Sequence, residues 1–370
     1  MHTYTLEDYC CQNGSCADAG IRGKGNLRWH GYSGHKKDIR GLKCRTCGKY
    51  FSERKGTVLE HSRLPEAKAI SLLEHLRDGC GVRSTSRLVS VTPNTVIRYS
   101  RLAGKHAVAL HNELVAFSSK TREVQFDEKW SFVCKKEANC TSEEKEKGDN
   151  WDHTAIDAEH RLLLSVVPGK RTADQCVIIV EDVKKRTGNR TDMLFTSDEH
   201  APYKTAIESV YAVEEVQPEH NTKKKVQRNM PKDLCYATVC KTRKFGSCIE
   251  IIKKVIFGTL AILMTLISRS TVSNTINTSF VERHNATDRN QNARKARKTL
   301  KFSKDWNIHN AVTFYVSYSY NFCWPVRTLR IKKEDGRWEA RTPAMSAGLA
   351  KHVWTTKDWV LFPVMPVRSV

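Results

Sequence analysis

The 370-residue chain carries 62 Lys and Arg against 40 Asp and Glu, a formal charge of +22, and the excess is spread along its length rather than gathered in one tail. Such a surface is suited to a polyanion, with nucleic acid the first candidate. At 39% hydrophobic and 28% charged residues the composition excludes a disordered chain, and the length allows two or three domains with at least one sizeable core.

The opening residues, MHTYTLEDYC, lack the apolar stretch of an export signal, so a cytoplasmic or nucleoid-associated placement is expected. Thirteen cysteines are then expected as reduced thiols, some of them recruited to metal. Residues 8–60 are predicted to form a zinc ribbon. Cys11 and Cys16 make one pair and Cys44 and Cys47 a second, and four thiolates close a tetrahedral Zn²⁺ site. A module this poor in apolar runs needs such a structural ion. Cys10, His30 and His35 remain open as substitutes in the first half.

Residues 64–112 read as a helix-turn-helix. Ile70, Leu72, Leu73 and Leu76 mark a first helix that Gly79 and Gly81 stop, residues 84–89 form a second, and Thr92 with Pro93 opens a third. On the third helix Val96, Ile97 and Leu102 are expected inside. Asn94, Thr95, Arg98 and Arg101 are expected outside, as candidate DNA contacts.

Residues 120–330 change to a strand period. In the run 122–133, Val124, Phe126, Trp130 and Phe132 share one face and leave Asp127 on the other, beside Gln125 and Lys129. After a loop at 135–150, strands at 151–157 and 161–167 complete a meander. A helix at 173–186 follows, with a capping box at Thr172 and Gln175 and Gly188 as its stop. A strand at 192–196 then delivers Asp198, and Pro202 begins the next helix. This order, with one acid on the first strand and another after the fourth, is the layout of an α/β ribonuclease-H-like mixed sheet. Residues 214–279 read as a β-rich insertion with a hairpin at 234–242 and 249–257. Its Cys235, Cys240, Cys248 and His220 are better explained as packed thiols than as a second zinc site. The apolar run 255–267 is too short for the roughly 20 residues of a membrane span and reads as core. Residues 331–370 form a tail with no assigned role.

Asp127, Asp198 and Glu282 are the candidate catalytic residues. Three carboxylates held together repel one another, so such a cluster implies divalent cations, and oxygen ligands select Mg²⁺ or Mn²⁺. Each acid has a plainer alternative. Glu128 stands beside Asp127, Asp198 suits a helix N-cap, and Glu282 suits a capping box with Ser279. Past Glu282 a basic helix is predicted, with His284 and Asn285 next to the acid. Arg283, Arg289, Arg294, Lys295, Arg297, Lys298 and Lys301 are its candidate phosphate contacts.

Taken together, the cysteine pairs with CRTCGKYFSERKGT, FDEKWSFV, SDEHAPY and FVERHNATDRNQNARKARKTLKFSKDWNIHNA make the chain resemble IS-one-like insertion-sequence transposases of the Asp-Asp-Glu class over residues 10–330. The resemblance implies a metal-dependent recombinase acting on double-stranded DNA. Such an enzyme binds terminal inverted repeats, exposes 3′-hydroxyls and joins them to target DNA, as a homodimer or larger synaptic assembly. It implies Asp127, Asp198 and Glu282 as the triad and Cys11, Cys16, Cys44 and Cys47 as zinc ligands. This chain departs from the compact members in the long step from Asp198 to Glu282 and in Glu199, where a Gly often follows. A DNA-binding regulator on the same fold, without the chemistry, is the alternative.

Overall fold

The computed structural model describes residues 4–34, 37–118, 120–217, 225–245 and 247–366. At the N-terminus β1 (Leu27–Ser33), β2 (Ile39–Cys44) and β3 (Tyr50–Ser52) form an antiparallel three-stranded sheet with a small core of its own. Three helices follow: α1 (Glu66–Arg77), α2 (Val82–Val89) and α3 (Pro93–Leu114). Thr92 caps α3 as the sequence predicts, its hydroxyl accepting the Thr95 N–H at 3.2 Å, with Pro93 at the first helical position. The helix runs past the predicted segment, however. Its second half lies against the main core, where His111 bonds the Leu164 carbonyl at 2.8 Å.

The central sheet is built from β4 (Glu123–Val133), β5 (Gly148–Asp157) and β6 (Leu162–Gly169) as an antiparallel meander. Helix α4 (Ala173–Arg186) then leads to β7 (Leu194–Asp198), which pairs parallel with β4. The capping box expected at the start of α4 is not made, since Thr172 caps without a side-chain bond. Helix α5 (Pro202–Tyr211) and a separate hairpin, β8 (Val213–Gln217) with β9 (Lys225–Asn229), come next.

The span 214–279 departs from the expected insertion. Its two long strands, β10 (Cys235–Lys244) and β11 (Ser247–Phe257), join the sheet, whose order is β11-β10-β7-β4-β5-β6. Strand β10 pairs parallel with β7, and α5 with the hairpin supplies the long connection that a parallel pair requires. The sequence shows β10 its hairpin partner, which begins three residues past its end, and hides the strand it meets across a helix. Helix α6 (Leu260–Arg269) covers one face of β7 and β10. The apolar run 255–267 therefore breaks at Gly258 into strand and helix, and only Leu263 and Leu266 of α6 are buried, while Leu260 and Met264 stand exposed.

Helix α7 (Ser279–Gln291) crosses the open face of β4, and α8 (Trp306–Cys323) is buried between α3 and the sheet. Gly104 lets α3 and α8 touch, because a Cβ there would lie 2.5 Å from the Ala311 Cα. The final segment, with α9 (Pro343–Ser346) and α10 (Thr356–Leu361), packs Trp354, Trp359, Val360 and Phe362 into the same core as the sheet and α1–α3. It also reaches the N-terminal module: Val364 N–H bonds the Gly56 carbonyl at 3.0 Å, and Tyr4 donates to the Asp358 carbonyl at 2.6 Å. Among the described residues no helix is long and apolar enough to cross a membrane.

Candidate functional site

Strand alternation sorts β4 into two chemistries. Phe126 turns to Phe195 of β7 and Tyr203 of α5. The opposite face offers Gln125, Asp127 and Lys129 to α7: Gln125 accepts the Phe280 and Val281 N–H groups at 2.9 and 3.1 Å, and Asp127 accepts Asn285 Nδ2 at 2.8 Å. Lys129 pairs with Asp288. Asp127 and Asp198 meet because β4 and β7 run parallel and side by side, so that the last residue of β7 ends beside the middle of β4.

Asp127, Asp198 and Glu282 line one cavity of about 720 Å³, together with Arg171, Arg289 and Arg297. Asp127 and Asp198 also form a tight group with Glu128, which does not line the cavity, each presenting a carboxylate oxygen within 4.8 Å of the others. Burial first, and the charge of Asp198 second, push the Asp127 carboxyl up to about 6. The same two causes take Glu128 to about 7, against the pull of Arg171, whose Nη2 lies 3.0 Å from Glu128 Oε2. Asp198 Oδ1 is buried with no hydrogen-bond partner among the described residues.

Glu282 reaches the cavity from α7 with its carboxylate engaged by Lys241 and by the Thr278 hydroxyl at 2.6 Å. The capping box with Ser279 is not formed; Thr278 is the N-cap, and Ser279 donates to Asn277 instead. Asp198 is likewise no helix cap, since Ala201 holds that place for α5.

The basic helix expected beyond Glu282 stops at Gln291, and residues 292–301 turn back over the sheet. Lys295 pairs with Asp152 of β5, and Lys129 lies 3.5 Å from the same carboxylate, so Lys129, Asp152, Asp288 and Lys295 form a quartet that solvent does not reach. Arg294 and His284 are buried too, and burial lowers them to about 10 and about 4. Lys295, Arg294 and His284 thus face inward and touch no surface phosphate, as Asn285 is taken by Asp127. Arg283, Arg297, Lys298 and Lys301 are exposed, and Arg289 is half-buried at the cavity. Sequence reasoning missed Arg171 and the quartet. One signal was present: Val281, His284, Asn285 and Asp288 recur at helical spacing, which marks an inward stripe carrying an acid opposite the polar face of β4.

In the N-terminal module the sulfurs of Cys11, Cys16, Cys44 and Cys47 lie within 4.8 Å of one another. The Lys49 N–H pulls the Cys47 thiol down to about 6, while burial pushes Cys11 up, the division expected of four thiols sharing little charge. Gly48 adopts φ +71°, the left-handed turn that brings those N–H groups round. Cys10 lies apart, bonded by Gln12 at 3.4 Å, and His30 packs on Tyr50. His35 and His220 fall outside the described residues. On α3, Asn94, Arg98 and Arg101 are exposed along a shallow groove and Thr95 is half-buried.

No protein-family model matches the chain, and no curated protein matches it. Among solved structures it is similar to the Mos1 Strand Transfer Complex, with 13% identity over 40% of this chain and 55% of that one and a TM-score of 0.18. The Mos1 transposase paired-end complex with left transposon end shows 12% identity over 40% and 56%, at 0.17. The Mos1 mariner paired end complex with Mn shows 13% over 40% and 57%, at 0.17. The match thus spans a little over half the length of those chains. At TM-scores this low the likeness transfers no residue role to this chain.

Proposed function

We propose that this chain is an Asp-Asp-Glu recombinase of the IS-one-like kind, with a ribonuclease-H-like core that cuts DNA at terminal inverted repeats and joins the exposed 3′-hydroxyls to target DNA. One observation carries the reading: acids from positions 127, 198 and 282, far apart in sequence, line a single cavity that also holds Arg171, Arg289 and Arg297. Carboxylates suit a metal and guanidiniums suit the phosphates that cross it.

The donor set is oxygen alone, and the unpartnered Asp198 Oδ1 together with the raised Asp127 carboxyl fits a missing positive charge. Asp127 and Asp198 would hold Mg²⁺ or Mn²⁺, with Glu282 completing the set. A divalent ion held by these carboxylates would supply activation of the attacking hydroxyl and stabilisation of the leaving oxygen. Asn285 orients Asp127 by donating to Oδ2. Arg289 and Arg297 hold the phosphate against the carboxylates, and Lys241 balances Glu282 until the acid is needed.

In this reading residues 8–60 form a ribbon closed by Zn²⁺ on Cys11, Cys16, Cys44 and Cys47. Residues 64–112 present Asn94, Arg98 and Arg101 to the element's ends, and residues 120–330 perform the chemistry. Two ends must be held together, so a homodimer or larger assembly is required.

The test is a labelled duplex carrying the inverted repeats that flank the gene, incubated with Mg²⁺ or Mn²⁺. Wild type is expected to give metal-dependent cleaved and 3′-joined products, and Asp127→Asn, Asp198→Asn and Glu282→Gln are expected to lose them while still binding the duplex. Binding without cleavage by the wild type would establish the regulator instead, and cleavage without joining a nuclease.

A further inference from the structure

On the other flank of α7 from the acids lies a second cavity of about 470 Å³, within the roughly 300–1,000 Å³ of small-ligand sites. Phe280, Arg283 and His284 reach it from α7, Arg161 from the β5–β6 turn, and Trp324 and Arg327 from the chain after α8. The Arg161 guanidinium carbon sits over the Phe280 ring, 3.7 Å from its centroid. No carboxylate lines the cavity among the described residues. Two nitrogens of its lining residues, Nη1 of Arg161 and Nδ1 of His284, are closed off from solvent and have no hydrogen-bond partner among the described residues. A cavity of this size, with Arg161, Arg283 and Arg327 and no acid among its lining residues, suits an anionic ligand.

The chemistry of that ligand follows from the wall. Aromatic faces bind flat π-systems, and guanidiniums bind phosphate. Trp324, at 39% exposed, lines the cavity and is open to solvent. A duplex hides base faces and edges in its stack, so a cavity of this shape fits a base that has left it.

Resting on the reading that the neighbouring acids act on DNA, we infer that this cavity takes one unpaired nucleotide of a DNA strand on its way to the acidic cavity. The base lies against Trp324 and the Phe280–Arg161 pair, and Arg283 and Arg327 hold its flanking phosphates. Helix α7 separates the two cavities by about one helix diameter, roughly 10 Å. Glu282 faces one and its neighbour Arg283 the other, which places strand capture beside strand chemistry.

The experiment uses the full chain without divalent metal and a duplex carrying 2-aminopurine in one of two places: an unpaired end or a paired interior position. Free 2-aminopurine deoxyriboside monophosphate is the third probe. Binding of the unpaired end is expected to change 2-aminopurine fluorescence and to be about tenfold tighter than binding of the blunt duplex, the size of one base–aromatic stack. Trp324→Ala is expected to remove that advantage while leaving blunt-duplex affinity within about twofold, and Trp324→Phe to restore most of it. Arg327→Ala, at an exposed position, serves as a second variant should Trp324→Ala fail to fold by circular dichroism. Equal affinity for unpaired and blunt ends, an advantage that survives both variants, or a free nucleotide that competes as well as the strand would each overturn the inference. Metal-dependent cleavage is measured separately. A wild type that prefers unpaired ends but never cuts overturns the recombinase reading and keeps the cavity, whereas one that cuts with no such preference does the reverse.

Discussion

Asp127 shows how one side chain is tuned by its surroundings. Its carboxyl is raised to about 6, and that of Glu128 to about 7, chiefly by burial and then by Asp198. A cation must bind the deprotonated forms, so affinity falls as pH drops through these values. Titration calorimetry with Mn²⁺ is expected to show binding weakened by about tenfold or more between pH 7.5 and 5.5, and Asp198→Asn is expected to lower the Asp127 midpoint by removing a like charge. Lys129 and Asp288 make a second prediction of this size. Removing one partner of a buried pair strands the other charge, so Asp288→Ala is expected to cost about 3–5 kcal/mol in urea unfolding, and Lys129→Met combined with Asp288→Leu to recover much of it. The acids themselves were legible in the sequence because the strand period put Asp127 on the polar face. Arg171 was not, because nothing local ties a residue before α4 to a cavity built on β4 and β7.

Helices and strands carry the next set of consequences. Helix α3 meets α8 at Gly104, where an added Cβ would lie 2.5 Å from the Ala311 backbone. Ala normally improves a helix over Gly by roughly 1 kcal/mol, yet Gly104→Ala is expected to destabilise by about 1–3 kcal/mol, because the two helices must part. Thermal melting reads the sign directly. Helix α7 illustrates a limit of patterning. The cation-rich sequence continues past Gln291 as though the helix did, but Lys295 finds Asp152 only if the chain folds back over β5. A tertiary ion pair decided the end of that helix. Likewise β10 is half of the expected local hairpin with β11 and also the parallel neighbour of β7, so the stretch taken for an insertion supplies the sheet edge beside the acids.

One large core runs from Val58 to Phe362 through helices, sheet and C-terminal segment, beside smaller ones in the N-terminal module and under α6. Buried histidines among the described residues are held neutral: burial lowers His106, His153 and His284 to about 4, His309 to about 3, and His111 well below its ordinary value. Their folded values lie below those of the unfolded chain, near 6.5, so unfolding takes up protons between about pH 4 and 6.5 and stability falls as pH falls through that window. His106 alone accounts for roughly 3 kcal/mol at its limit. Asp127 and Glu128 act in the opposite sense, since raised acids favour the fold at low pH and lose that contribution as pH rises through 6 to 7. The buried histidines outweigh them, and the urea midpoint is expected to fall steadily from pH 7 to pH 4. Truncation before Trp354 is expected to abolish cooperative unfolding, because Trp359 and Phe362 leave the core and Val364 leaves Gly56.

Local order was written in the chain: cysteine spacing, the Thr92–Pro93 helix start, the polar face of β4 and the run of strands and helices all depend on neighbours a few residues apart. Which strand lies beside which, how far the helix after Glu282 extends, that Lys295 and Arg294 turn inward, and that the C-terminal segment straps the core are matters of contacts between distant residues. Burial of a charge is governed by a partner's position in space, and periodicity along one element carries no trace of that partner.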